Sequence, residues 1–433
     1  MEKTKVAIVG LGTIGTGVAR LLLDHGDRTA RHAGRTLWLE AVVDRDVTRP
    51  RNVDLPDGLL SDDLARITQN REIKVVVELI GGLEPARTIV LELLRNGKDI
   101  VTANKALLAE HGAELFDTAR ELGRSIAFEA SVAGGIPIIT NISQCLSANQ
   151  ILSLRGILNG TSNFIVTKME EGMEYQAAVS AAQRMGFAEA NPAMDVDGTD
   201  AAQKLAILAH LAFGARVHWK DIPRQGIDTL NPADLRYARE LGGYRIKLLA
   251  VAQLIDGVLE LHVAPTLIRK GLPLAEVRDA YNAISVVGDA VGPVFFHGLG
   301  AGQMPTASAV VADMIDTAVG RTALTFKTLE LWSRRGAQVA IRDHAHLQGR
   351  FYLRFTVEDH PGVMARIAGV LGAHDVSIAS MIQREPDSDS DGTAVPLVIM
   401  THMTTEGATR AAVEEIDRLP CVLRDSVRMR VLD

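Results

Sequence analysis

Cysteine is nearly absent: the 433-residue chain has only Cys145 and Cys421, too far apart to read as a disulfide framework. Such usage fits a reducing compartment, and the expected location is the cytoplasm. Aromatic residues make up 4 % of the chain, too few for a base-stacking platform, and a net charge of −7 opposes non-specific attraction to nucleic acid. Nor does any window reach the ~18 uninterrupted apolar residues of a membrane span. The opening MEKTKVAIVG enters a strand almost at once and leaves no room for the apolar core of a signal peptide. Zinc signatures are missing too; His344 and His346, without further ligands nearby, read as solvated. What remains is an ordinary globular composition, 47 % hydrophobic and 23 % charged, in a chain long enough for two or three domains.

Apolar strands alternate with helices over residues 1–135: strands at 5–9, 37–43, 75–79, 99–102 and 125–128, helices at 13–23, 85–96 and 106–122. That alternation predicts a parallel sheet covered on both faces. Residues 136–320 read as an α+β unit suited to dimer formation. It has helices at 138–146, 161–171, 174–185, 200–213 and 306–319, strands at 151–158, 282–287 and 293–296, and an antiparallel pair, 245–254 and 258–267, turned at Asp256-Gly257. A polar linker, 321–348, leads to a βαββαβ pattern over 349–433, the signature of a ferredoxin-like sandwich. Its inner strands are joined by a polar loop, EPDSDSDGTAV, with the one low-complexity tip in the chain.

Gly10-Leu11-Gly12-Thr13-Ile14-Gly15 follows a strand and opens a helix, the context that makes G-x-G-x-x-G specific for a dinucleotide. Gly10 allows the tight turn, Gly12 lets a pyrophosphate approach the backbone, and Gly15 permits close helix packing, while Thr13 and Ile14 lie at the helix N-terminus whose N–H groups face the phosphates. The second strand ends at Asp44-Arg45. The acid would accept the ribose hydroxyls of NAD and the arginine would pair with the 2′-phosphate of NADP. A basic insertion, GDRTARHAGR, lengthens the usual spacing; the reading leans to NADP, with NAD also usable. Thr102, Asn104 and Lys105 sit at the carboxyl end of the next strand pair, where ligands bind in open α/β folds.

Five residues in AEANPAMDVDGTDAAQKLAILAHLAFG (188–214) stand out: Glu189, Asp195, Asp197, Asp200 and Lys204. Asp200 and Lys204 share a helix face at i, i+4. Such a pair is most often solvated, and acids near a helix start also answer the macrodipole. The run after Lys204 is almost wholly apolar, which favours a buried pair tuned for proton transfer. Spacing alone leaves both readings open.

Together, Gly10–Gly15, VTANKALLA (101–109), EASVAGGIPI (129–138), GILNGTSNFI (156–165), the 188–204 stretch and GAGQMPTASAV (300–310) closely resemble homoserine dehydrogenase. The resemblance spans essentially the whole chain, and VEDHPGVMARIAGVLGAHDVSI (357–378) resembles an ACT domain. It implies a Rossmann-type α/β domain, an α+β substrate and dimerisation domain, and a C-terminal ferredoxin-like ACT domain. It also implies reversible NAD(P)-dependent interconversion of L-aspartate 4-semialdehyde and L-homoserine in threonine and methionine biosynthesis. By the same resemblance, Lys204 is the proton donor, and Glu189, Asp200, Lys105 and Gly186 serve the substrate. Lys105 and Gly302 also lie at the cofactor, and the backbone carbonyls of Glu129, Val132, Gly134 and Ile136 hold a monovalent cation, Na⁺ or K⁺. Asp44 departs from relatives that favour NADP, which are uncharged there.

Two other readings compete. An acyl-enzyme semialdehyde dehydrogenase needs an activated thiol, and Cys145 sits in a helical pattern without a neighbouring histidine, as a buried or inert thiol would. An amino-acid sensor would need no proton donor, so Glu189, Asp200 and Lys204 argue against it. The ACT-like segment Asp359-His360-Pro361-Gly362 leads from strand to helix and can offer backbone N–H groups to an amino-acid carboxylate. L-Threonine is the expected effector and a homodimer or homotetramer the expected assembly. Deletion from residue 349 onward is expected to leave catalysis largely intact.

Overall fold

The computed structural model describes residues 2–329, 339–383 and 394–433; most of the acidic loop and the centre of the linker lie outside the described residues. The chain falls into two compact units. One comprises Met1–Leu152, Ala202–Ile222 and Ser285–Val339, and the other Ser153–Ala201, Pro223–Ile284 and Ala340–Asp433.

The first unit is built on a parallel sheet of six strands: β1 (Lys3–Val9), β2 (Thr36–Val43), β3 (Leu60–Ser61), β4 (Ile73–Glu78), β5 (Asp99–Thr102) and β6 (Ile126–Ala127). Their order is β3-β2-β1-β4-β5-β6, so the chain reverses direction of travel beside β1, where the glycine loop follows. Val6, Ile8, Val75 and Val77 are buried on these strands, which explains their continuous apolar runs. The helix Thr13–Asp24 shares that core with the helix Gln303–Ala318, through Val18, Ala19 and Leu22 on one and Ala307, Val310, Val311 and Met314 on the other. The sequence reading put the latter helix with the middle segment. Its docking depends on Gly17, where a Cβ would come within 2.9 Å of Gln303 Cγ and 3.0 Å of Ala307 Cβ.

Two local readings need correction. The basic insertion contains a helix, Gly26–Ala33, closed by Gly34 at φ 66°. The helix expected at 138–146 is α only over Ile138–Thr140 and continues as a π-helix over Asn141–Cys145, a form rare enough to mark a functional or strained place.

The second unit holds β8 (Tyr244–Ile255) and β9 (Val258–Arg269) whole, with most of β7 (Ile151–Ile157) and half of β10 (Tyr281–Gly288); β11 (Gly292–Leu299) follows in the chain. The β8–β9 hairpin turns at Asp256 and Gly257, both with positive φ (53° and 76°), as a type I′ turn requires. The C-terminal module supplies β12 (Gln348–Glu358), β13 (Ile378–Gln383), β14 (Ala394–Thr401), β15 (Thr404–Thr405) and β16 (Val422–Leu432). Its strands run β16-β12-β14-β13, with the helices Val363–Ala373 and Glu406–Ile416 packed on one face over Phe351, Leu353, Phe355 and Val357.

This module is not a bead on a linker. Strand β16 pairs in parallel with β9, Arg430 opposite Thr266 through Leu432 opposite Ile268, so one sheet runs through both parts of the unit. The other face of β12 is tied to the helix Pro232–Glu240 by a buried ion pair. Asp234, fully buried, accepts from Arg354 Nε at 2.5 Å and from the Tyr352 hydroxyl at 2.8 Å. Its second oxygen accepts from Asn231 N–H at 3.0 Å and Arg354 Nη2 at 3.2 Å.

Deletion from 349 would therefore strip β9 of its neighbour and leave Asp234 buried without its cation, contrary to the expectation of a separable module. Arg354→Met should cost about 3–5 kcal/mol in urea unfolding, the scale for breaking a buried pair from one side. A chain ending at residue 348 should fail to give a cooperative melt.

Candidate active site

In the first unit, the three glycines of the loop have different surroundings. Gly10 has φ 99°, and a Cβ there would sit 2.6 Å from the Leu79 carbonyl. At Gly15 a Cβ would lie 2.1 Å from the Gly10 oxygen, which no side chain survives. Gly12 has nothing within 4 Å of a Cβ position: it faces open space. It precedes the helix Thr13–Asp24 with no side-chain cap, so the first N–H groups, at Thr13, Ile14 and Gly15, are left for a ligand. The loop borders a cleft of about 530 Å³ that is also lined by Asp44, Arg45, Arg49 and Arg51. The cradle fits a dinucleotide.

Asp44 is occupied within the protein. Its Oδ2 accepts from Leu11 N–H at 2.6 Å and its Oδ1 from Asp46 N–H at 3.0 Å, while Arg51 Nη2 lies 3.2 Å from Oδ1. Arg51 Nε also donates to the Leu11 carbonyl at 3.1 Å. Arg51 thus locks the glycine loop to the end of β2 and offsets the charge of Asp44. Nothing in the sequence pattern singled it out.

The ends of β4 and β5 are joined by a buried relay. Glu78 Oε1 accepts from Ile80 N–H at 2.8 Å and its Oε2 from the Thr102 hydroxyl at 2.7 Å. Thr102 Oγ1 accepts from Asn104 N–H at 3.0 Å, and Asn104 donates to the Gly82 carbonyl at 2.8 Å and caps Leu107 N–H at 3.2 Å. Thr102 is 1 % exposed, so its hydroxyl is spent on this relay. The relay fixes the start of the helix Lys105–Glu121 and with it Lys105, its first residue.

The 129–136 loop is braced from both sides. Glu129 N–H donates to Asp313 at 2.8 Å, and the Glu129 carboxylate accepts from Ile139 and Thr140 N–H, each at 2.8 Å. Burial pushes the Glu129 pKa up despite those donors, and Asp313 is pushed well up for the same reason. Gly134 and Gly135 N–H groups donate to the carbonyls of Gly300 and Leu299, both at 2.9 Å, beside Gly302 (φ 118°), the residue before the helix Gln303–Ala318. Among the described residues the carbonyls of Val132 and Gly134 accept no hydrogen bond. Those of Glu129 and Ile136 already accept one each, from Val132 and Ile138.

In the second unit, Asn159 gathers the acids. Its side-chain oxygen caps the helix Gly160–Glu170 at Ser162 N–H (2.7 Å), while its Nδ2 donates to Asp195 Oδ1 at 2.7 Å and to Asp200 Oδ2 at 2.8 Å. Asp197 instead takes Thr199 N–H at 2.7 Å and sets the start of the helix Thr199–Phe213. On that helix Asp200 and Lys204 are 5 % and 8 % exposed, which excludes a solvated surface pair. Glu189 is exposed on a loop held by Gln183, whose Nε2 donates to the carbonyls of Glu189 and Ala190, each at 3.2 Å. Gly186, at φ 75°, opens that loop.

The arrangement matches a known lineage. The family model described as homoserine dehydrogenase fits residues 137–315, that for the homoserine dehydrogenase NAD-binding domain fits 10–129, and that for the ACT domain fits 351–421. The chain is similar to the homoserine dehydrogenase of Synechocystis, with 43 % identity across 99 % of both chains. The chain belongs to the homoserine dehydrogenase family. It is an NAD(P)-dependent oxidoreductase. A crystal structure of a homoserine dehydrogenase from Thiobacillus denitrificans, 40 % identical, superposes with a TM-score of 0.91 over 100 % of this chain and 99 % of that one. A hyperthermophilic archaeal homoserine dehydrogenase in complex with NADPH matches at 26 % identity and TM-score 0.62, over 73 % of this chain and 98 % of its own.

Glu78 and Arg51 in the first unit carried no functional signal in sequence, and Asn159 in the second lay within the motif GILNGTSNFI with no role of its own assigned. Cys145 is exposed, at the end of the π-helix, rather than buried. The two critical glycines should separate by experiment. Gly12→Ala should melt like the parent yet bind cofactor at least about tenfold more weakly, since only the ligand needs that space. Gly15→Ala should lower the melting temperature as well.

Proposed function

We propose that the chain reduces L-aspartate 4-semialdehyde to L-homoserine, reversibly, for threonine and methionine biosynthesis, with Lys204 as the proton donor. The observation that carries this reading is the buried cluster in which Asn159 holds Asp195 and Asp200 at the head of the helix bearing Lys204. The nicotinamide supplies the hydride. As the carbonyl oxygen of the substrate becomes an alkoxide, Lys204 gives it a proton or holds an ammonium beside the growing charge. Asp200 orients substrate and Lys204, Glu189 receives the substrate ammonium with Gly186 shaping its loop, and Lys105 stands at the junction of cofactor and substrate. Lys204→Ala should lower kcat by about two to four orders of magnitude with much less change in KM, the usual scale for a general acid. Activity within a few-fold of the parent would remove Lys204 from this role.

NADP is the preferred cofactor in this account. Asp44 is paired with Arg51, and the exposed side chains of Arg45 and Arg49 stand beside it in the cleft, where they suit a 2′-phosphate. Arg45→Ala should therefore raise KM for NADPH about tenfold or more beyond any rise for NADH, from the loss of a charged hydrogen bond, whereas Arg51→Ala, which unlocks the glycine loop, should weaken both cofactors. Asp44→Ala should weaken both cofactors alike, because Asp44 holds Leu11 and Asp46 N–H groups.

The 129–136 loop is proposed to hold a monovalent cation through carbonyl oxygens, those of Val132 and Gly134 being available and those of Glu129 and Ile136 retaining a second lone pair. Sodium, potassium and tetramethylammonium salts at equal ionic strength should then give different kcat values; equal values would reduce the loop to a braced turn. L-Threonine is the proposed effector of the ACT module. Gly362 (φ 94°) precedes the helix Val363–Ala373 without a side-chain cap, which leaves N–H groups for a carboxylate. A cytoplasmic homodimer or homotetramer completes the proposal; among the described residues no helix is long and apolar enough to cross a membrane.

A further inference from the structure

Behind the acid cluster, wholly within the second unit, lies a cavity of about 200 Å³ that belongs to none of the sites above. Strand β9 contributes His262 to its wall, the segment after Ile222 contributes Arg224, and the C-terminal module contributes Glu406, Arg428 and Arg430. Arg428 and Arg430 project from one face of β16 and both reach the carboxylate of Glu406, which is 2 % exposed; Arg430 Nη2 donates at 2.5 Å. The two guanidiniums also stack over the Phe351 ring, at 5.6 and 5.3 Å from its centroid.

The charges do not balance. Two largely buried arginines share one carboxylate, and Arg224 lines the rim. The other nearby acid, Glu260, is engaged elsewhere, 3.0 Å from Arg342 Nε and accepting from Gln253 at 2.9 Å. Burial holds the His262 imidazole neutral, and its Nδ1 is buried with no hydrogen-bond partner among the described residues. His344, read from sequence as solvated, is half-buried here, 4.0 Å from Glu406. Excess positive charge around a partly buried space is costly unless an anion answers it.

We propose that this cavity binds a small oxyanion, a phosphate or a carboxylate. Its position gives such a ligand leverage. The backbone of Pro223–Gln225 bonds to Val263 on β9, with Gln225 N–H to the Val263 carbonyl at 2.9 Å. The next turn supports the acid loop, through Ile227 N–H to the Val196 carbonyl at 2.8 Å. A Cβ on Gly198 would meet Val263 Cγ1 at 3.3 Å, so the segment before Asp200 rests on the cavity wall. The anion would clamp β16 and α-helical Glu406 to that wall, where β9 and β16 share only three residue pairs.

Thermal melts of the full chain in inorganic phosphate, malonate and chloride at equal ionic strength test the proposal. Phosphate or malonate should raise Tm saturably where chloride does not, as a ligand of the folded state must. A response to phosphate alone identifies the phosphate class, and a response to malonate alone the carboxylate class. The rise should be lost in Arg224→Ala, a change at an exposed side chain that leaves folding intact, and in His262→Leu, which removes an unpaired polar atom. Equal melts in all three salts, or a rise that persists in either folded variant, would overturn it.

Discussion

One side-chain amide holds the acid cluster of the second unit together. Asn159 gives both hydrogens of its Nδ2 to carboxylates and accepts a helix N-terminal N–H at its oxygen, which fixes its orientation. Without it, Asp195 and Asp200 would be two like charges brought together at a largely buried place. With it, each carboxylate has a charge-assisted donor, and Asp200 gains the favourable field at the start of its helix. Asn159 itself is set by tight backbone packing. A Cβ on the next residue, Gly160, would come within 2.6 Å of the Ala280 carbonyl.

Rigid neighbours extend that order outward. The acid loop rests on the segment around Ile227, the segment bonds to β9, and β9 is a partner of β16. An ACT module fused in this way shares backbone hydrogen bonds with the scaffold of the acid cluster, and Asp234 with Arg354 makes the junction hard to open. Any effector of the module would act by favouring one packing of this shared sheet over another, since a ligand shifts an equilibrium only through its differential affinity.

Much of this was legible in the sequence where the signal is local. The glycine spacing foretold positions where no side chain fits, and Gly10 and Gly15 are such positions. Apolar runs located the strands, and the Asp256-Gly257 pair located the hairpin turn. What stayed hidden depends on long-range meetings of polar side chains. Asn159 before a helix reads as a cap, and it is one; its other half meets residues 36 and 41 positions away. Arg51, in a polar loop, finds Leu11 across 40 residues. Small residues hid the docking of the helix Gln303–Ala318, because a glycine such as Gly17 shows its purpose only when the partner backbone is beside it. The shared sheet was likewise invisible: β16 reads as the last strand of a self-contained sandwich, and nothing in its alternation announces a second neighbour.

The central claim is that the Asn159 clamp sets the carboxylates of Asp195 and Asp200 for the proposed reaction, and the most direct test is kcat/KM for homoserine in Asn159→Ala, beside its KM for cofactor and its melting temperature. Loss of hydrogen bonds to a charged group, about 1.5–3 kcal/mol, predicts a fall in kcat/KM of roughly one to two orders of magnitude with cofactor KM unchanged. A folded Asn159→Ala enzyme with kcat/KM within about threefold of the parent would contradict the account.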